Sequence, residues 1–458
     1  ARLLAPSLKY AACAGEADLL ATILALGASA NTRYSDEYTY HALHLAACNG
    51  NLQSIRALLQ SGAPGADPRH RRSEDDRTAL ELAVNGRSIA VVKTILQHGV
   101  APQDVGAWNY TTALHTAAAG DEVEAIRVIV EAGEDVDVRD GQRRTPLHIA
   151  AAENNPEAVR VLCELGADHK KWNMEGMVPL HLGVSLPSGS PQAVAELLKA
   201  GADPAFRIRN SKDHSSLDMA AILGDVGILR ALLDYGADAT AVDGYQVTAL
   251  HRAACRNKVG AIHVLIEAGA DVDSKDADER TPLNNACECL QIDAADALFG
   301  YGASINAPND IGETPLHRAT QVSHEDRSAE IVDFLLRRGA DETAADAAGN
   351  IPRDVLGIDA RRAHRLSHPP FPSPRVVSLL DNAPRDRAWG RRSFLVIRAR
   401  KMARVEGRGG DVAGNNNGGG GEIAHGGAAG GASVAGDVVA AVVGLQDDAV
   451  FRNVVGFL

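Results

Sequence analysis

The chain is poor in aromatic residues, which make up 4% of its 458 residues. This scarcity fits the stacking of small side chains between helices better than one large aromatic core. The chain also lacks an uninterrupted apolar run of about 18 residues, so no membrane-spanning helix is predicted. These two absences point away from one large globular domain and from a membrane protein.

Sequence motifs of catalysis are also missing. No phosphate-binding loop of the form Gly-x4-Gly-Lys-Ser/Thr occurs. The glycine-rich stretch 417–421 lacks the strand, helix and lysine that such a loop needs, so it is predicted to be a linker. His324-Glu325 is too short to be a zinc motif. We therefore expect no enzyme activity, no metal and no cofactor.

A regularly spaced leucine dominates what is present. Most intervals between these leucines are 33 residues, and the longest is 37: Leu8, Leu43, Leu80, Leu114, Leu147, Leu180, Leu217, Leu250, Leu283 and Leu316. A period of this length predicts a stack of helical repeats rather than one closed core.

The repeat around Leu147 shows what each period contains. Thr145 can cap a helix, and Pro146 fits its first turn. A second apolar helix follows and ends at Gly166, 19 residues after Leu147. Glycine is suited to the left-handed conformation that closes a helix. Eight of the ten repeats keep this interval of 19, so each repeat is predicted to be a helix, a turn, a second helix and a glycine stop.

The chain resembles the ankyrin-repeat family over about residues 1–356. The resemblance rests on Thr145-Pro146-Leu147-His148, Thr314-Pro315-Leu316-His317 and endings such as Gly236-Ala237-Asp238. It implies an all-α solenoid of helix pairs with projecting hairpins, and a concave face that binds proteins. It also implies that the histidines after the leucines form hydrogen bonds between repeats. Glu81, Asp218 and Asn284 replace this histidine, so we expect those three repeats to be looser.

The cysteines are interpreted as reduced. Cys13, Cys48 and Cys255 each follow their leucine by five residues, which indicates helix packing, and their separation in a stack is too great for bridging. Cys287-x-Cys289 lacks a second pair of metal ligands. These features predict an intracellular protein, cytoplasmic or nuclear.

Charge and composition divide the chain. The net charge is −13 overall, −18 over 1–352, +9 over 353–408 and −4 over 409–458. We predict a solenoid at 1–356 with about ten repeats and a degenerate capping repeat, followed by a largely irregular tail. The tail comprises a basic Pro/Arg-rich segment with short helices at 357–406, one of them from Ser373-Pro374. A disordered Gly-rich linker at 407–436 and a short apolar helix at 437–458 follow. The acidic solenoid is not expected to bind nucleic acid.

The predicted partner-binding residues lie in the loops between repeats. Tyrosine and tryptophan are favoured interface anchors, and basic residues flank two of these loops. The set is Tyr34, Tyr38, Tyr40, Trp108, Tyr110, Arg143, Arg144, Lys170, Lys171, Trp172, Phe206 and Tyr245. The alternative is that some of the aromatic side chains pack against the next hairpin.

Three functions remain open on the sequence. The leading hypothesis is a monomeric scaffold or adaptor that binds other proteins through the concave face and loop tips. A second is an adaptor whose basic segment 385–404 lies on anionic lipid at a membrane surface. A third is an enzyme with a small unrecognised C-terminal domain, which the bias of that region towards proline, glycine and arginine disfavours.

Overall fold

The computed structural model describes residues 4–30, 41–61, 66–71, 77–100, 110–185, 191–209, 213–322, 325–356 and 373–383. These residues belong to two compact units, unit 1 (Ala1–Asp276) and unit 2 (Ala277–Leu458). In both units the described residues form helices joined by turns and no strand, and unit 1 also has three isolated β-bridges. The helix pairs predicted from the leucine period are present in the described residues, and the all-α fold class that the family resemblance implies is confirmed.

Unit 1 contains eight helix pairs. The first helices of the pairs are α1 (Ala5–Ala14), α3 (Ala42–Cys48), α5 (Ala79–Asn85), α7 (Ala113–Ala119), α9 (Pro146–Ala152), α11 (Pro179–Ser185), α13 (Ser216–Leu223) and α15 (Ala249–Cys255). The second helices are α2 (Ala17–Ala25), α4 (Leu52–Gln60), α6 (Ile89–Gln97), α8 (Val123–Glu131), α10 (Pro156–Glu164), α12 (Pro191–Lys199), α14 (Val226–Asp234) and α16 (Val259–Glu267).

The described residues of unit 2 form two further pairs and one more helix. The pairs are α17 (Pro282–Glu288) with α18 (Ile292–Gly300), and α19 (Pro315–Gln321) with α20 (Glu325–Arg337). Helix α21 spans 374–383, within the predicted basic segment and next to the predicted helix start at Ser373. It buries Val376, Leu380 and Ala383, and Asp381 forms an ion pair of 2.6 Å with Arg353.

Within each unit the helices form two layers. In unit 1, α9 packs between α7 and α11, while α10 packs between α8 and α12. The repeating leucine supplies the centre of each pair: Leu147 is fully buried, and the other nine leucines of the series are also buried. Because each leucine fills a closed site, Leu147→Ala is expected to destabilise the fold by about 2–5 kcal/mol.

Two glycines show why the connections need this residue. Gly166 ends α10 with φ +91°, and no atom lies within 4 Å of the position that a Cβ would occupy. Its requirement is therefore conformational. Gly176 has φ +76°, and an added Cβ would lie 2.8 Å from the carbonyl oxygen of Arg209. That site demands glycine for its backbone conformation and for the close approach of another loop.

The cysteines partly differ from the reduced state predicted from the sequence. Cys13, Cys48, Cys163 and Cys287 are free thiols. Burial raises the pKa of the Cys163 thiol to about 11. Cys255 and Cys289 are instead disulfide-bonded, so the interpretation of Cys255 as a reduced packing residue is wrong.

Candidate functional site

The loops that join successive repeats project as short hairpins, here called fingers. In unit 1 the finger at 140–144 is closed by the main-chain hydrogen bond from Asp140 N–H to the Arg144 carbonyl, at 2.9 Å. The Asp140 carboxylate is buried and accepts hydrogen bonds from the N–H groups of Gln142 and Arg144, at 2.9 and 2.8 Å. One side chain therefore holds the whole turn from inside.

The same device recurs along the chain. Asn173 and Asp243 close the fingers at 173–177 and 243–247 in unit 1, and Asn309 closes the finger at 309–313 in unit 2. Each of these residues lies seven positions before a repeat leucine, as Asp140 does. This regular spacing of Asp or Asn was an available sequence signal that the sequence analysis missed.

Adjacent fingers are also joined to each other. In unit 1 the Met174 N–H donates to the Gln142 carbonyl at 3.0 Å, and the Arg209 N–H donates to the Gly176 carbonyl at 3.0 Å. In unit 2 the Ala347 N–H donates to the Ile311 carbonyl at 2.8 Å. The loop that contains Arg209 is the third of these fingers. Because main-chain bonds fix their spacing, the three successive fingers of unit 1 present their side chains on one preformed surface.

Trp172 lies at the centre of that surface. The Arg143 guanidinium lies over the Trp172 ring at 4.2 Å from its centroid, and the Arg209 guanidinium lies 5.6 Å from the same ring. Arg209 also lies 5.9 Å from the Phe206 ring. We call these four residues the arginine–tryptophan ladder. It joins the predicted residues Arg143, Trp172 and Phe206 to Arg209, which the sequence analysis did not select.

The other predicted binding residues have different surroundings. Tyr110 and Tyr245 are 55% and 70% exposed, and Lys170 is exposed. Arg144 forms an ion pair with Asp140 at 2.8 Å, and Lys171 lies 3.8 Å from Asp137. Outside the described residues lie Tyr34, Tyr38, Tyr40 and Trp108.

A second candidate surface follows the first helices of the repeats. The side chain two positions after each leucine is only partly covered in most repeats of unit 1. These half-buried residues are Leu45, Thr116, Ile149, Leu182, Met219 and Arg252. In unit 2 the same position holds Asn285 and Arg318. This face is thus largely apolar in the middle of unit 1 and polar in unit 2.

The repeated histidines are structural. The Thr145 N–H donates to His148 Nδ1 at 3.1 Å, so Nδ1 is an acceptor and the proton is on Nε2. His148 Nε2 then donates to the Met177 carbonyl at 3.1 Å, across to the next finger. His115 and His181 make the same link to the carbonyls of Arg144 and Phe206. This confirms the role that the resemblance implies for these residues.

Burial keeps these imidazoles neutral. Loss of hydration lowers the pKa of His148 to about 4, although its hydrogen bond to the Met177 carbonyl acts in the opposite direction. The pKa of His181 is lowered to about 4 for the same reason, and that of His115 is also lowered. Neutral, fully hydrogen-bonded imidazoles are poorly placed for proton transfer to a substrate.

The repeats that lack histidine are not loose in the way the sequence suggested. Ser215 and Asp218 form a complete capping box at the start of α13, as do Thr281 and Asn284 at the start of α17. At the start of α5, Thr78 accepts a hydrogen bond from the Glu81 N–H. The expectation of looseness is therefore wrong for the repeats of Asp218 and Asn284.

Asp218 is the centre of a buried ionic cluster. Its Oδ2 accepts from the Ser215 N–H at 2.9 Å, and its Oδ1 accepts from Arg252 Nε at 3.2 Å. Arg252 also pairs with Asp243, the residue that closes the finger at 243–247. Arg207 Nη1 lies 3.5 Å from Asp218 Oδ2. In unit 2, Arg318 similarly pairs with Glu288.

Metal sites and membrane-spanning helices are both absent from the part of the chain that the structure describes. No group of three or more His, Cys, Asp or Glu residues there is arranged to hold a metal ion. Among the same residues, no helix has the length and apolar character needed to cross a bilayer.

Comparison with known proteins agrees with this repeat geometry. A family model of ankyrin repeats (three copies) matches residues 8–106, 101–173, 180–276 and 250–346. The chain is 41% identical over 69 residues to E3 ubiquitin-protein ligase KEG of Arabidopsis thaliana, covering 15% of this chain and 4% of that protein. It is 36% identical over 97 residues to an ankyrin repeat-containing protein of Treponema pallidum, covering 21% and 31%.

These matches cover only part of either relative, less than a third of its length. Among solved structures, the ankyrin repeat domain of Bcl-3, a member of the IkappaB protein family, is 30% identical. The alignment covers 52% of this chain and 98% of that domain, with a TM-score of 0.42.

Proposed function

Because the chain belongs to the ankyrin-repeat family, whose repeats generally mediate protein–protein interaction, we propose that it is a scaffold or adaptor that binds partner proteins. The family is typically non-enzymatic, and we propose the same for this chain. Partners would bind at the fingers and along the face of the first helices. The observation that carries the proposal is the row of fingers joined by main-chain hydrogen bonds around Trp172.

Rigid fingers favour binding for a thermodynamic reason. Association loses free energy when loops and long side chains become ordered at an interface. Here Asp140 and Asn173 already fix the turns, and the bond from Met174 N–H to the Gln142 carbonyl already fixes their spacing. Less order remains to be imposed by a partner. Exposed aromatic and arginine side chains on such a surface resemble the residues that dominate binding energy in protein interfaces.

The face of the first helices would contribute apolar contact. Ile149, Leu182 and Met219 lie on successive first helices of unit 1 and are only half-buried. A partner helix or extended segment placed against them would remove apolar surface from water, at roughly 25 cal/mol per Å². The fingers would then supply polar and aromatic contacts beside this apolar strip.

The proposal is tested by comparing two aromatic substitutions in the full chain. Trp172→Ala removes the centre of the ladder. Tyr235→Ala removes an aromatic side chain at the end of α14 that is 43% exposed, whereas Trp172 is half-buried. Partners would be captured by each variant and by the wild type, and identified by mass spectrometry. Melting temperatures would be measured on the same preparations.

We expect Trp172→Ala to lower the yield of specific partners by a factor of about ten, since loss of a hot-spot side chain weakens binding by about 2 kcal/mol or more. Tyr235→Ala should leave that yield unchanged. A lowered melting temperature with unchanged yield in Trp172→Ala would instead assign Trp172 to packing. If the wild type captured no specific partner either, this result would contradict the scaffold function itself.

A further inference from the structure

The arginine–tryptophan ladder carries cationic groups that local carboxylates do not neutralise. Around it, Arg144 pairs with Asp140 and Lys171 with Asp137, while Arg207 approaches Asp218. Among the described residues, Arg143 and Arg209 have no carboxylate within ion-pair distance. These two guanidinium groups therefore have no described carboxylate partner, although the protein as a whole is acidic, with a net charge of −13.

Stacking prepares these guanidiniums for an anionic ligand. A guanidinium has a flat face and five N–H donors in its plane. When Arg143 lies over the Trp172 ring, the face is covered, but the in-plane donors remain available. A carboxylate can then accept two parallel hydrogen bonds from the edge of the group. The ring also limits the rotamers of the arginine, so less entropy is lost on binding.

The ladder is held in place by three fingers of unit 1. Arg143 belongs to the finger at 140–144, and Trp172 directly precedes the finger at 173–177. The Arg209 N–H bonds to the carbonyl of Gly176, where even a Cβ would clash with the Arg209 backbone. The spacing of the two cations therefore depends on main-chain contacts as well as on side-chain preference.

We propose that the arginine–tryptophan ladder is a docking site for an acidic peptide segment of a partner protein. The proposal rests on the proposed scaffold function and adds to it the chemistry of one partner. Glutamate or aspartate side chains would bind the edges of Arg143 and Arg209, and the aliphatic part of the peptide would cover Trp172. Met174, which is 68% exposed and lies two residues after Trp172, offers further apolar contact.

A peptide fits this surface better than a nucleic acid. Nucleic acids are bound by neutralising many successive phosphates, and their affinity grows with the number of cations along the track. Among the described residues two guanidinium groups lie on the Trp172 ring, and the protein that carries them has a net charge of −13. A short carboxylate-rich segment needs no longer basic track, so the charge balance favours it.

The test uses the fluorescence of Trp172 in the full chain. Trp108→Phe and Trp389→Phe leave Trp172 as the single tryptophan. This protein would be titrated at low salt with an oligoglutamate peptide. The comparison ligands are an oligolysine peptide, a neutral Gly-Ser peptide of equal length and a single-stranded oligothymidylate. We expect a saturable change with oligoglutamate that is weakened by added salt, because screening reduces contacts between exposed charges.

Two pairs of variants separate the ladder from net charge. Arg143→Gly with Arg209→Gln removes both cations, and glycine suits the left-handed backbone of residue 143, whose φ is +60°. Arg127→Gln with Arg160→Gln removes the same charge from α8 and α10, where both arginines pair with Glu164. We expect the first pair to weaken oligoglutamate binding at least about tenfold and the second to change it less than about twofold.

The outcomes distinguish this proposal from the scaffold function. Equal weakening by both pairs of variants would make binding a matter of net charge and overturn the proposal. Absence of saturable oligoglutamate binding up to about millimolar peptide, or stronger binding of oligothymidylate, would also overturn it. If the captured partners of the wild type were retained by the Arg143→Gly, Arg209→Gln variant, the scaffold function would stand and the acidic-peptide site would fall.

Discussion

The repeats that begin at Thr145 and Ser215 have the same helix cap but reach the next repeat by different chemistry. In the first, the neutral His148 accepts from the cap N–H and donates to the Met177 carbonyl. In the second, the Asp218 carboxylate accepts from the cap and from the Arg252 guanidinium. The position therefore needs one acceptor for its own helix and one bond to its neighbour, and either a neutral or an ionic group can satisfy both.

The two solutions depend on their surroundings to different degrees. His148 needs only a main-chain carbonyl, which every finger supplies. Asp218 needs a cation at one particular place in the following repeat, 34 residues on, where the repeat of His181 has Leu182 instead. A histidine can thus be moved from one repeat to another by itself. An aspartate at this position has to be moved together with its arginine in the next repeat.

The largest effect is expected when a carboxylate like that of Asp218 is placed in the repeat of His148 without an arginine like Arg252. His148→Asp should retain the cap but bury a carboxylate that has Leu182 at the place where Asp218 has Arg252, and the expected loss of stability is about 3–5 kcal/mol. Adding Leu182→Arg at the position equivalent to Arg252 should recover at least about half of that loss. Amide hydrogen exchange of 145–185 would measure both effects. If His148→Asp alone caused no loss of stability, a buried carboxylate at this position would not need an arginine such as Arg252.

The second largest effect is expected from low pH, which should destabilise the histidine repeats more than the repeat of Asp218. The folded pKa of His148 and His181 lies at about 4, below the value of about 6.5 for an unfolded histidine. The unfolded chain therefore binds more protons between these values, and stability falls as the pH falls through this window. Each histidine should account for about 3 kcal/mol of loss, and the contribution is fully present above pH about 6.5.

Hydrogen exchange as a function of pH would check this. Protection in α9 and α11 should fall between pH about 6.5 and about 4, and His148→Gln should flatten the dependence in α9. The helix that begins after Ser215 has no imidazole at this position, so its protection should change less over the same interval. An equal pH response in α13 and α9 would contradict the assignment.

A milder test removes only the charge of Asp218. Asp218→Asn keeps an oxygen for the Ser215 N–H, as Asn284 does for Thr281 in unit 2. It weakens the bond to Arg252, so the expected loss is about 1.5–3 kcal/mol, the range for a hydrogen bond to a charged group. Denaturant unfolding of Asp218→Asn, Arg252→Met and the double variant would give the coupling energy. A coupling near zero would show that Arg252 stabilises the repeat through Asp243 alone.

The smallest expected effect is at the edge of the cluster. Arg207 lies 3.5 Å from Asp218 and donates to the carbonyls of Asp213 and Val242, both at 2.7 Å. These groups are partly open to water, so Arg207→Ala should destabilise the repeat by only about 1 kcal/mol. A melting curve is sufficient to measure it. A loss as large as that for His148→Asp would place Arg207 at the centre of the cluster.

The repeat architecture could be predicted because its determinants are local. The spacing of leucine, the Thr-Pro start and the glycine stop each depend on residues within one helix pair, and the structure confirms them at Leu147, Thr145 and Gly166. The bond from each histidine to the next repeat followed from the family resemblance. None of these needed knowledge of the loops.

The candidate surfaces were only partly predictable because their contacts cross loops of unequal length. Trp172 and Arg143 were selected from residue type, but Arg209 lies 37 residues after Trp172, beyond an insertion that changes the register. The wrong expectation for Asp218 has a different cause, because the interval from Leu217 to Leu250 is the usual 33 residues. Its compensating arginine lies one repeat away, and a single sequence does not show which residue of that repeat faces it.

The bond from a histidine to the following finger can form only after that finger has been synthesised. His115 and His148 each wait for an acceptor that lies 29 residues later, at Arg144 and Met177. Synthesis adds about 5–20 residues per second, so this interval corresponds to roughly 1.5–6 seconds on the ribosome. Until the following finger has been made, the Nε2 of His148 lacks the carbonyl to which it donates in the fold, whereas its Nδ1 can already accept from the cap of its own helix. Each repeat is thus completed by the one made after it.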